Sequence, residues 1–275
     1  MELYLKTKDY AYTKEEFQLH YDSERDMLIT HPQPYNIEAY YQSDAYISHT
    51  DANKSLADKL YQYVKKYSLK KKRLQIEAFS QTGKRILDIG AGTGDFLKQM
   101  QLNGWQVHGI EPNQLARKAA LKKGLHLESN LHKLTEKKFN SITLWHVLEH
   151  LPDLEQQIRK LGTLLEKEGT LFVAVPNYKS FDASYYGKFW AGFDVPRHLW
   201  HFSRASIQKV FAKNGMKIVD IQPMIFDAFY ISLLSEKYKS NRTNFVKAFM
   251  IGMRSNFKAR KTKEYSSLLY IIKRA

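Results

Sequence analysis

The chain has 275 residues, of which 43 are Lys or Arg and 28 Asp or Glu, giving a net charge of +15. No apolar run approaches the roughly 20 residues that a membrane-spanning helix needs. Cysteine is absent, which excludes disulfides, thiolate metal sites and cysteine nucleophiles. The start, MELYLKTKDY, lacks the cationic and apolar regions of a secretion signal, and together these features lead us to expect a cytoplasmic protein. The basic surplus either attracts phosphates of nucleic acid, lipid or metabolite, or is a solvated surface.

Residues 1–50 are polar and broken by Pro32 and Pro34, so an irregular N-terminal cap with short strands at best is expected, followed by a main domain over 51–275. Leu56, Leu60, Tyr63, Val64 and Tyr67 fall at helical spacing, with the run Lys70–Arg73 expected to end or interrupt that helix before Ile76 and Phe79. Strands and helices then alternate. KRILDIG is a strand and GDFLKQMQLNG a helix; WQVHGIE is a strand and PNQLARKAALKKG a helix opened by Pro112. LHLES, FNSITLW and GTLFVAVP read as strands three to five, with Leu154, Ile158, Leu161 and Leu165 marking a helical stripe before the fifth. MKIVDI and SSLLYIIK supply the sixth and seventh. Such alternation implies an α/β fold with a doubly wound, mostly parallel sheet and helices on both faces. Two segments interrupt it, an aromatic one at 177–202 and a basic one at 223–264.

The sequence LDIGAGTGDF sets Gly90, Ala91, Gly92 and Gly94 between a strand and a helix. Glycine at such a turn permits positive φ and close approach of a ligand to the backbone. A glycine turn alone also suits a dinucleotide. Here the third-phase glycine is replaced by Asp95, and Asp88 sits two residues before the first glycine, a poor neighbour for pyrophosphate but a good one for a cationic ligand. Glu111, 17 residues after Gly94, stands where an acid accepts both ribose hydroxyls.

LDIGAGTG, GIEPN, ITLWHVLEHLPD and GTLFVAVPN together resemble the successive motifs of class I S-adenosylmethionine-dependent methyltransferases. The nearest likeness is to the broad bacterial group that includes the ubiquinone-biosynthesis O-methyltransferases, over about Arg85 to Asp220. The resemblance implies a seven-stranded Rossmann-like sheet ordered 3-2-1-4-5-7-6 with the last strand antiparallel. It implies S-adenosyl-L-methionine as cofactor and S-adenosyl-L-homocysteine as its product. It places Asp88 and the glycine turn under the methionine part, Glu111 on the ribose, Pro112, Asn130 and Leu131 around the adenine, and Trp145 and His146 beside the methyl donor. Asn140 departs from the Asp of many relatives, at the start of a strand and away from the chemistry.

His146, Glu149 and His150 also match H-x-x-E-H, a zinc pattern that requires two histidines on one continuous helix. Because ITLWHV reads as a strand end and Pro152 follows closely, no metal is assigned. Acceptor candidates cluster after strand five, where ligands bind in this architecture. Tyr186 and Trp190 supply aromatic wall, Arg197 an anion contact, and His198 the base or acceptor anchor, with His150 and His201 as further bases. Packing of this long segment on the core is the competing role. In YYQSDAYISH, Tyr40, Tyr41, Tyr46 and His49 are candidates to line the pocket, again against plain packing.

From Lys237 to Lys263 there are nine Lys or Arg residues and no acids, interleaved with an apolar helical face of Phe245, Val246, Phe249, Met250, Met253 and Phe257. That face can pack on the sheet, as most such stripes in soluble proteins do, or lie on an anionic membrane. General habit favours the sheet. The expected function is therefore methyl transfer to a small-molecule or cell-envelope precursor acceptor, at oxygen. A nucleic-acid methyltransferase is the rival that the charge favours, but no N/D-P-P-Y/F-type segment or RNA-binding module supports it. A catalytically inactive cofactor-binding partner is the rival outside the enzyme class.

Overall fold

The computed structural model describes residues 1–41, 56–80, 83–134 and 137–275. Tyr46 and His49 lie outside the described residues. The first surprise is at the N-terminus. Instead of an irregular cap, β1 (Glu2–Lys8), β2 (Glu16–Asp22) and β3 (Met27–His31) form an antiparallel meander. Phe17 and Leu19 alternate inward with polar neighbours, as a sheet with one buried face requires.

A 24-residue helix, α1 (Leu56–Phe79), follows without interruption. The lysine run does not break it, because lysine is a good helix former and neither Gly nor Pro intervenes. The alternating core then comprises β4 (Arg85–Ile89), α2 (Asp95–Leu102), β5 (Gln106–Ile110), α3 (Gln114–Leu121), β6 (Phe139–Trp145), α4 (Leu154–Leu164) and β7 (Leu165–Pro176). Beyond it lie α5 (Phe181–Tyr186), β8 (Trp200–His201), α6 (Arg204–Ala212), β9 (Met216–Pro223), α7 (Asp227–Ser240), α8 (Phe245–Thr262) and β10 (Ser267–Arg274). Asn113 and Ser203 cap α3 and α6 by accepting from the N–H groups of Ala116 and Ser206.

The central sheet runs β5-β4-β6-β7-β10-β9, with β10 antiparallel to both neighbours. This is the expected order with one strand reduced. The segment LHLES shrinks to a single parallel bridge between Glu128 and Ile110, leaving six strands rather than seven. β7 is apolar on both faces from Leu171 to Pro176 and buried throughout, as a central strand covered on both sides must be. Ile158, Leu161, Val210 and Phe211 cover one face; Ile76, Leu97, Met100 and Trp105 cover the other.

β8 pairs with β3, Leu28 opposite His201 and Ile29 opposite Trp200, so the aromatic segment is stitched into the N-terminal meander. Phe17, Leu19 and Leu28 there share one core cluster with Tyr178, Tyr186, Trp190 and Phe193. The basic segment also departs from expectation. α7 and α8 pack against each other, and α8 turns Ala248, Ile251, Gly252, Ser255 and Ala259 inward. Its apolar stripe does not meet the sheet: Phe245, Val246, Phe249, Met250, Met253 and Phe257 are all at least half exposed. Small residues won the inner face because Gly252 has Phe229 against it, where an added Cβ would come within 2.7 Å of that ring.

Candidate active site

The glycine turn closes β4 onto α2, and all three glycines are left-handed, with φ of 73°, 55° and 77° at Gly90, Gly92 and Gly94. Their surroundings differ. A Cβ on Gly90 would sit 2.4 Å from Val147 Cγ2, and one on Gly94 would sit 2.7 Å from Leu125 Cδ1. Nothing lies within 4 Å of the corresponding point on Gly92. Gly90 and Gly94 thus let strand, helix and neighbouring loops close, whereas Gly92 bares backbone to an open side. Ala91 is buried beside them.

Glu111 ends β5 and is 9% exposed. Its Oε2 accepts from the Gly92 N–H and its Oε1 from the Asn113 N–H, both at 2.8 Å. Each oxygen retains a second lone pair, which suits a diol. The Arg117 guanidinium donates to the carbonyls of Glu111 and Pro112 and fixes this corner. Asn130 lies two residues past the Glu128 bridge, exposed, with Leu131 half-buried beside it. Trp145, at the end of β6, meets Phe96 edge-on at 5.7 Å, and its indole Nε1 is buried with no hydrogen-bond partner among the described residues.

Asp88 is not the open carboxylate expected under a cationic ligand. It is 2% exposed and accepts from the Thr143 hydroxyl at 2.6 Å. Burial pushes its pKa up to about 7, against the Thr143 hydrogen bond and the Lys72 charge, with Glu111 adding to the rise. Lys72 projects from α1 over the Trp145 ring, 4.1 Å from its centroid. Burial lowers its pKa, while the charges of Asp88 and Asp227 resist. Lys72 was invisible in the sequence because it sits in the run read only as a helix interruption. Its i+4 neighbour Ile76 at 0% exposure marks the inward face.

Val147, which fills the space against Gly90, belongs to the stretch that carries the histidines. His146 adopts φ 56° at the strand end, and only a single 3₁₀ turn, Leu148–His150, follows. The continuous helix that a zinc pair needs is therefore not formed. His146 Nε2 lies 2.9 Å from Asp227 Oδ2 and its Nδ1 lies 3.5 Å from Glu149 Oε1. Burial disfavours its charge, but the Asp227 hydrogen bond and the charges of both carboxylates prevail and push its pKa up to about 10. It is an imidazolium at neutral pH and cannot act as a base.

His150 is the opposite case. Burial, reinforced by the nearby His198, pushes its pKa down to about 4, leaving a neutral ring. Its Nδ1 lies 3.0 Å from the Arg197 carbonyl and 2.8 Å from the Tyr41 hydroxyl. Since a carbonyl only accepts, the tautomer with the proton on Nδ1 serves that contact. The His198 ring stands edge-on to it, centroids 4.5 Å apart, and donates from Nδ1 to the Gly192 carbonyl at 2.9 Å. One ring nitrogen of each histidine and an oxygen of Glu149 lie within 4.8 Å of one another. Both Glu149 oxygens are buried without a hydrogen-bond partner among the described residues. A donor set of two imidazoles and one carboxylate can take a proton, and is also chemically able to hold a divalent ion.

Four expected acceptor-site residues are committed elsewhere. Arg197 sends all five N–H groups to protein oxygens: a fork onto Asp194, a pair of contacts onto Asp9 and one onto the Tyr40 carbonyl. It clamps β1's end to the aromatic segment and has no donor left for a substrate anion. His201, 4% exposed, lies 2.9 Å from the Thr30 hydroxyl, which itself donates to the His198 carbonyl; it is a structural residue. Tyr186 and Trp190 are 2% exposed and belong to the core shared with the meander. Trp190 donates from Nε1 to Asp182, which also accepts from Ser255 and Ser266. Asp9, which Arg197 meets, and Thr30, which His201 meets, lie 188 and 171 residues away in sequence, which is why spacing alone gave them free roles.

A family model described as a methyltransferase domain matches residues 61–221, more than half of the chain. The chain belongs to that family, and its fold is that of a class I S-adenosylmethionine-dependent methyltransferase domain. It is 34% identical over 115 residues to the ubiquinone biosynthesis O-methyltransferase of Pasteurella multocida (strain Pm70), covering 35% of this chain and 48% of that one. It is 35% identical over 105 residues to the enzyme of the same name from Aeromonas salmonicida (strain A449), covering 34% and 44%. The chain thus spans about half the length of the curated relatives it matches. Among solved structures it resembles magnesium protoporphyrin IX methyltransferase from Synechocystis PCC 6803 with bound SAH. That match has a TM-score of 0.54 and 15% identity, covering 82% of this chain and 90% of that one. A SAM-dependent methyltransferase from Archaeoglobus fulgidus gives a TM-score of 0.52 at 17% identity, covering 76% and 94%. The family's cofactor, S-adenosylmethionine, fits this turn: Gly92 leaves its backbone open and Glu111 keeps lone pairs for a diol.

Proposed function

We propose that the protein methylates a hydroxyl oxygen of a small-molecule or cell-envelope precursor acceptor, with the His150–His198 pair beside Glu149 removing the proton. One observation carries this reading. His150 follows β6 three residues after Val147, the residue that packs on Gly90 of the glycine turn, and His198 stands edge-on against it. Base and cofactor cradle are thereby neighbours at the carboxyl ends of adjacent parallel strands, β4 and β6.

S-adenosylmethionine supplies an electrophilic methyl group on a sulfonium. Methyl transfer from it is an in-line displacement, so the chain's task is alignment and proton removal. A hydroxyl acceptor gives its proton to an imidazole nitrogen as the new C–O bond forms. Glu149, whose pKa is kept low in spite of its burial chiefly by the neighbouring His146, stabilises the imidazolium that results. With its Oε1 already 3.5 Å from the His146 imidazolium, it offers its remaining capacity to the second positive charge that forms on proton transfer, which is where such stabilisation lowers a barrier. Tyr41, hydrogen-bonded to His150, stands beside the pair and supplies a wall of the acceptor site. The names of the curated relatives favour oxygen over nitrogen as the atom methylated.

Release of S-adenosylhomocysteine from a panel of phenolic and aliphatic hydroxyl acceptors tests this. The His198→Ala and His150→Ala variants should each lower kcat about 10²-fold or more, the usual scale of a lost general base. Their cofactor affinity should stay unchanged. Equal loss of turnover and of cofactor binding would show a structural role instead.

A further inference from the structure

We propose that the outward face of α8, continued by the start of α7, docks on an anionic lipid surface. The α7–α8 hairpin is fixed to the body through groups of the inner face. Ser255 donates to the buried carboxylate of Asp182, Asn256 donates to the Ile225 carbonyl, and Gly252 lies against Phe229. With its small side chains turned inward, α8 presents its large ones outward. Phe245 is 69% and Phe257 72% exposed, and Val246, Phe249, Met250 and Met253 lie between them. Phe249 stacks on Phe229 at 5.3 Å, which leads the patch on to exposed Phe226 and Ile225 at the start of α7. Soluble monomers rarely leave more than a few hundred Å² of contiguous apolar surface open, and larger patches mark interaction sites.

Charge names the occupant. On a helix advancing 100° per residue, Lys261, Arg254 and Lys247 follow the apolar arc along one flank, and Arg260 lies within it. Lys237, Lys239, Arg242 and Lys263 surround the hairpin's ends, and no acid interrupts the run from Lys237 to Lys263. Lys247 is paired with Glu236, and Arg254 and Lys239 stand over the Phe181 and Tyr185 rings, so the rim is led by Arg260 and Lys261. A second copy seated face to face would bring two such cationic rims together, on chains that each carry +15. A nucleic-acid duplex, met through its phosphates, gains nothing from a face of Val, Phe and Met. A surface of anionic headgroups over hydrocarbon satisfies both halves, the arrangement of an interfacial amphipathic helix. No helix among the described residues is long and apolar enough to cross a membrane, so contact is with the surface. Docking stands independently of methyl transfer, and a binding readout tests it without turnover.

The full chain is sedimented with vesicles of phosphatidylcholine containing one quarter phosphatidylglycerol, and with vesicles of phosphatidylcholine alone. Binding to the anionic vesicles should exceed binding to the neutral ones about tenfold, and should fall similarly at about 0.5 M salt, where the Debye length is only a few Å. Phe245→Ser with Phe257→Ser, and separately Arg260→Glu with Lys261→Glu, should each weaken anionic binding about tenfold or more at unchanged melting temperature and S-adenosylhomocysteine affinity. Absence of vesicle binding, indifference to lipid charge, or variants that bind like wild type would overturn the proposal. So would a dimer in sedimentation velocity that the phenylalanine double variant dissolves, since a second copy would then own the face.

Discussion

Arg197 and Asp9, 188 residues apart in the chain, meet in a buried ion pair at 2.9 Å. Asp194 forks onto the same guanidinium, and the two carboxylates keep their pKa values low in spite of burial because of that cation. The N-terminal meander and the aromatic segment are thereby one unit. Removing one partner leaves an unpaired buried charge, which typically costs about 3–5 kcal/mol. Arg197→Ala should therefore lower the urea midpoint substantially, and Asp9→Asn should do so to a lesser degree. Full stability with a raised KM for the acceptor would return Arg197 to the role of substrate contact.

Asp88 gives the stability a pH dependence of unusual sign. Its folded-state pKa of about 7 lies above the ordinary 3.8, so the folded chain holds a proton that the unfolded chain releases. Below pH 4 both states are protonated and nothing is lost. As pH rises from there through 7, folding loses up to about 1.4 kcal/mol per unit from this group. Asp88→Asn should melt above wild type at pH 8 and approach it at pH 5. A difference that does not change between those pH values would contradict the burial of an uncompensated carboxyl.

Asp227 couples the α7–α8 hairpin to the site through His146. Burial alone would lower the His146 pKa, so its value of about 10 depends on the two carboxylates. Asp227→Asn should bring the proton off at a markedly lower pH in an NMR titration of the imidazole. An unchanged titration would assign the hold to Glu149 alone.

Much of this site is written locally in the sequence. The glycines between β4 and α2, the acid at the end of β5 and the alternation of strand and helix depend on neighbours in the chain, so composition and spacing reveal them. The sheet order came with the family resemblance instead, and it holds apart from the strand that Leu125–Ser129 fails to form beyond one bridge. What spacing cannot show is which distant group a side chain meets. Arg197 and His201 look like free catalytic groups until Asp9 and Thr30 arrive from the meander. Lys72 looks like one charge in a solvated run until helix α1 continues unbroken over Trp145. The stripe of α8 is correctly periodic, yet periodicity defines a face and says nothing of what covers it. The histidine pair lay in between: His150 and His198 were both candidates, but only the fold brings them and Glu149 within 4.8 Å of one another.

Acid-base behaviour of that pair offers a further check. With His150 held near pKa 4, it stays neutral throughout the physiological range, so turnover should not collapse on acidification through pH 6 on its account. Single-turnover rates of wild type and the Glu149→Gln variant address its partner. The variant should lose about tenfold or more in rate through weaker stabilisation of the charged imidazole, with cofactor affinity retained. A rate equal to wild type would remove Glu149 from the chemistry.

The most direct test is calorimetric titration of the purified chain with S-adenosylhomocysteine, on wild type and on Gly92→Val. Wild type should bind one equivalent. The variant places a branched side chain on the one glycine of this turn whose Cβ direction is open, at a φ of 55° that valine resists, and should bind at least about tenfold more weakly. A wild-type chain that gives no binding heat, or a variant that binds as well as wild type, would contradict the placement of the cofactor over this turn.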